Sequence, residues 1–180
     1  GKLGFYGRGV LPALFDLAYE AANQRKVNQR EVGTALEAIA LALAGFPAIK
    51  ADFLLPLLKN TDSAVASQAA AFLADIEQGD PRVIPALQAA FKTAADPAVR
   101  IASAKALETV VGTLLGVKAQ TQIDAIIKDF IDGINDPSAN KDVVSAIAKI
   151  LARLGDAAAP ALPALFDAAY GQKENDAARE

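Results

Sequence analysis

The chain has 180 residues, a formal net charge of −3, and apolar residues at 53% against only 6% aromatics, with 41 alanines, the strongest helix former. That length buries enough surface to fold without a disulfide or a metal, and the acidic balance (pI near 5.1) gives no overall drive toward nucleic acid or an anionic membrane. Cysteine and histidine are both absent, which removes the common zinc-ligand sets, thiol nucleophiles and every histidine-dependent base; no catalytic residue, metal or cofactor is expected.

In chain order, residues 1–9 of the opening GKLGFYGRGV read as a flexible lead-in. The glycines match neither phosphate-binding fingerprint, and no strand precedes them. A repeat domain is expected over residues 10–171. Its first helix carries Leu11-Pro12-Ala13-Leu14, and the loop after it concentrates Arg25, Lys26 and Arg30 among four amide side chains, a secondary candidate site for a phosphate or an acidic partner segment. The longest apolar run, Ala38 to Ile49, is too short to cross a bilayer, and no membrane span is expected.

Val32, Val65, Val99 and Val143 each begin the same pattern, spaced by 33, 34 and 44 residues. Offsets +4, +7, +8 and +11 give Leu36, Ile39, Ala40, Leu43; Ala69, Phe72, Leu73, Ile76; Ser103, Ala106, Leu107, Val110; and Ile147, Ile150, Leu151, Leu154. All but Ser103 are apolar, and the offsets trace one face of an α-helix. Ser103 is expected to bond back to a helix carbonyl. The longer last spacing implies an insertion within 112–121.

A partner helix precedes each stripe, through Leu55-Pro56-Leu57-Leu58, Ile84-Pro85-Ala86-Leu87 and Ala125-Ile126-Ile127, and a fifth, Leu162-Pro163-Ala164-Leu165, follows alone. The recurring proline implies a shared bend or a shared helix start. Asp62, Asp96-Pro97 and Asp136-Pro137 are expected helix starts. Asp129, Asp132 and Asp136 lack calcium-loop spacing and read as solvated or capping. LPALFDLAY at 11–19 recurs as LPALFDAAY at 162–170, a duplicated packing unit. Residues 172–180 read as a polar tail.

Asp96-Pro97-Ala98-Val99-Arg100, followed by Ala102, Ala106 and Leu107, resembles the Asp-Pro-x-Val-Arg signature of HEAT repeats, with lyase-type repeats of the phycobilin family as near relatives. The other repeats put Gly33, Ala66 and Val144 where the arginine stands. The resemblance implies an all-α, right-handed solenoid of about four and a half repeats, whose second helices line a concave, protein-binding side.

A non-catalytic scaffold for a protein or peptide is therefore the expected function. The alternatives are a phycobilin-lyase-like enzyme or a nucleic-acid-binding HEAT-like protein, the latter disfavoured by the absence of tryptophan and the scattered cations. The expected contact face is positions +1, +2, +5 and +6 of the second helices, chiefly Thr34, Glu37, Ser67, Ala70, Arg100, Ile101, Ala104, Lys105, Ser145 and Lys149. Only four of those sixteen positions carry charge, as suits an apolar interaction surface.

Overall fold

The computed structural model describes residues 29–76 and 80–177, so the lead-in, the first partner helix and the loop residues Arg25 and Lys26 lie outside the described residues. Among the described residues every regular element is helical. They are α1 (Gln29–Ala42), α2 (Pro47–Leu57), α3 (Ser63–Ala74), α4 (Val83–Thr93), α5 (Pro97–Gly116), α6 (Gln120–Asn135), α7 (Lys141–Leu154), a 3-10 segment (Gly155–Ala161) and α8 (Leu162–Ala177).

The order reproduces the repeat expected from the register. The valine stripes fall on α1, α3, α5 and α7, and these second helices pack in sequence against one another more closely than the partner helices α2, α4, α6 and α8 do. The stripe is the core: Leu36, Ile39, Val65, Leu73, Leu107, Ile147 and Leu151 are all buried, with Phe72, Val110 and Leu154 at its half-buried margin. Each leucine-sized side chain removed from water contributes roughly 1.5–3 kcal/mol before entropic costs.

Local chemistry sets the ends. Asp62 caps α3 by accepting from the Ala64 amide at 2.8 Å, and Asp96 caps α5 by accepting from Ala98 at 2.7 Å with Pro97 next to it. The third expected start is corrected: α7 begins at Lys141 under an Asn140 cap, because Asp136 is already engaged by the amide and hydroxyl of Ser138 in the turn that closes α6. Gly155, at φ +56°, stops α7 in a conformation that disfavours a β-carbon.

Among the described residues a shared helix start holds for two of the three recurring prolines. Pro56 sits one residue before the end of α2, whereas Pro85 and Pro163 lie in the first turns of α4 and α8, where a missing amide is harmless. The insertion is absorbed by the length of α5, which runs on to Gly116 through part of the expected 112–121 stretch. The final helix extends past the boundary expected at 172, reaching Ala177.

Candidate functional site: the exposed ridge of the second helices

An α-helix turns about 100° per residue. Relative to the centre of the buried stripe, +2 and +6 therefore stand roughly 180° and 145° away, but +1 and +5 only roughly 75° and 115°. The structure separates the expected face along this line. At +2 and +6, Thr34, Lys105, Ser145 and Lys149 are exposed, and Ser67 and Ile101 are half-buried. At +1 and +5, Ala66, Ala70 and Ala104 have 1%, 0% and 0% of their surface exposed.

Ala70 and Ala104 are thus too buried to belong to the expected contact face. They are the small side chains that let neighbouring second helices approach. Glu37, at +5 of α1, remains exposed. Arg100 is redirected as well: its Nε donates to the Phe91 carbonyl at 2.9 Å, and its guanidinium carbon lies 5.8 Å from the Phe91 ring centroid, so it ties α5 to α4. Arg30 belongs to α1, but its side chain is outside the described residues.

Two grooves run between the remaining ridges. The α3–α5 groove, about 530 Å³, is lined by Ser67, Ala71, Asp75, Ile101, Lys105 and Thr109 among others. The α5–α7 groove, about 360 Å³, is lined by Ile101, Lys105, Asp142, Ser145, Lys149 and Arg153, together with Ala146. Ile101 and Lys105 form a wall common to both, which makes one corrugated surface across three repeats. Asp75, Thr109 and Arg153, at +10, escaped the sequence reading, whose contact face stopped at +6.

Arg153 also fixes the spacing of this surface, because its guanidinium meets Glu108 across α5 and α7 through contacts of 2.7 and 2.8 Å. The two-point geometry is the strong form of this pair, although both side chains are partly solvated. Beneath the ridge, Ser103 is completely buried with no hydrogen-bond partner for its hydroxyl, which corrects the expected bond to a helix carbonyl. Asp129 is likewise not solvated. It is buried on α6, accepting from Gln88 at 2.7 Å and pairing with Lys92 at 2.6 Å on α4. Lys50 on α2 is buried too, and burial pushes its pKa down against the opposing pull of Asp75.

Two further cavities lie at the turns. One of about 510 Å³ opens between the α2–α3 and α4–α5 turns, but Asn60 and Asp96 there already serve as turn and cap acceptors. The other, about 380 Å³, borders Asp80, whose carboxylate is engaged by Arg82, and that hydrogen bonding holds its pKa down at about 2. Asn60, Asp80 and Asp96 are thus occupied by the fold. Among the described residues no group of acidic side chains could hold a metal ion, and no helix is long and apolar enough to cross a membrane.

The family model for HEAT repeats matches residues 11–108, more than half of the chain. The chain belongs to the HEAT-repeat family. No curated protein matches the sequence. A solved structure of an engineered protein is similar over 86% of this chain and 68% of that one, at 21% identity and a TM-score of 0.45. In the described part of this HEAT-repeat chain the helix pairing continues through α7, well beyond the last matched residue.

Proposed function

We propose that this HEAT-repeat chain is a non-catalytic scaffold that holds a protein or peptide along the exposed ridge of its second helices. HEAT repeats generally serve as protein-interaction scaffolds, and a repeat stack presents an extended surface without needing a single deep pocket. The supporting observation is the pair of grooves joined through Ile101 and Lys105. The corrected ridge comprises Ser67, Ala71, Ile101, Lys105, Ser145 and Lys149, with Thr34 in the equivalent place on α1.

A random-peptide display library tests the reading. The chain is expected to enrich peptides that the double variant Ala71→Gln, Ser145→Gln fails to retain, since each glutamine fills one groove from an exposed position without adding charge. Surface changes of this kind leave stability within about 0.5 kcal/mol, so the variant should melt with the parent. Equal retention by parent and variant would remove the ridge as the binding surface.

A further inference from the structure

The cations of the ridge differ in how they are held. Arg153 is committed to Glu108. Lys105 and Lys149 are exposed, and among the described residues neither ammonium has an ion-pair partner. Both line the α5–α7 groove, and Lys105 also lines the α3–α5 groove. The carboxylates facing them are Asp142 and Asp75. Asp142 sits in the first turn of α7, where the free amide ends already compensate its charge, and Asp75 lies within electrostatic reach of Lys50. On a chain of net charge −3 this is a local reversal of sign.

Ile101 and Ala146, one turn before Lys105 and Lys149 on their own helices, are the apolar part of a wall that Ser145 also lines. Neighbouring helix axes lie roughly 8–10 Å apart, which three residues of a peptide in the polyproline-II conformation span at about 3.1 Å each while returning to the same face. Resting on the scaffold reading above, we propose that the α5–α7 groove takes an acidic peptide segment. Two carboxylates about three residues apart meet Lys105 and Lys149, and apolar side chains between them cover Ile101. No aromatic side chain lines either groove, so stacking of nucleic-acid bases has no platform there.

The test sequences the pool of peptides whose retention is lost in Ala71→Gln, Ser145→Gln, then measures resynthesised members by fluorescence anisotropy against the intact chain. Paired Asp or Glu residues flanking an apolar core are expected in that pool. The double variant Lys105→Gln, Lys149→Gln should weaken those peptides roughly tenfold, the sum of two exposed charge pairs, with unfolding unchanged. A groove-dependent pool that is neutral or basic, or binding indifferent to the lysine changes, overturns the acidic chemistry and leaves the scaffold standing. A groove-dependent preference for oligothymidylate over the acidic peptides overturns it in favour of nucleic acid. The absence of any groove-dependent pool overturns both readings together.

Discussion

A β-carbon placed on Gly133 would lie 2.8 Å from Cζ of Phe91 and 3.1 Å from Cδ1 of Ile147, well inside the 3.5–4.0 Å of an ordinary carbon contact. Neither neighbour can swing aside. Phe91 is fully buried, packs edge-to-face on Phe130 with centroids 5.5 Å apart, and lies beside the Arg100 guanidinium; Ile147 belongs to the buried stripe of α7. In a helix, alanine gains up to about 1 kcal/mol over glycine, while overpacking a closed core costs about 1–3 kcal/mol. Gly133→Ala is therefore expected to lose about 1 kcal/mol net. Gly112 on α5 is the control, because nothing lies within 4 Å of its added carbon, and Gly112→Ala should gain up to about 1 kcal/mol. Urea unfolding of both variants at one temperature reads the difference, about 2 kcal/mol from these opposed terms. Equal stability of the two variants would refute the argument, since it would mean that α4, α6 and α7 do not meet at Gly133.

Four further outcomes follow from the same fold. Leu73→Ala, Leu107→Ala and Leu151→Ala, at equivalent buried sites, should each cost about 2–5 kcal/mol in chemical unfolding, whereas Ala104→Glu should cost at least about 3 kcal/mol by burying an unpaired charge. Lys92→Ala should destabilise by about 1–3 kcal/mol, because it leaves buried Asp129 with Gln88 alone; the half-exposed lysine keeps the loss at the low end. Asp80 has a folded pKa of about 2 against an ordinary 3.8, so its interaction with Arg82 stabilises above pH 4 and is lost as pH falls toward 2. The stability difference between parent and Asp80→Asn should shrink over that interval.

The helix order and the buried stripe were legible because they rest on periodicity: the spacing of Val32, Val65, Val99 and Val143 fixes which face turns inward, whatever the neighbouring helices do. What failed depended on partners outside the local pattern. Asp129 looked solvated because Lys92 and Gln88, 37 and 41 residues away in sequence, are brought beside it only by the packing of α4 on α6. Asp136 looked like a cap because an Asp-Pro pair starts α5, yet here the extra residues before Lys141 let the aspartate close a turn of its own. The proline of Leu55-Pro56 matched Ile84-Pro85 as a word but lies at the opposite end of its helix.

The alanine-rich face shows why register offsets alone put buried residues on the expected face. A helix in a stack has two kinds of non-core surface, one turned toward solvent and one toward the next repeat, and both favour small or apolar residues when the stack binds a ligand. Only the angle distinguishes them. Ala66, Ala70 and Ala104 are buried where α3 and α5 have a second helix packed beyond them, while Val144 and Ala148, the same positions on α7, are half-buried where no further second helix is described. Position +6, by contrast, changes from Ala38 and Ala71 to Lys105 and Lys149 without disturbing the helices. Packing fixes +1 and +5 of α3 and +5 of α5, and it leaves +2 and +6 free to vary in size and charge from repeat to repeat. Specificity for a partner can therefore be written along the ridge while the solenoid beneath it stays the same.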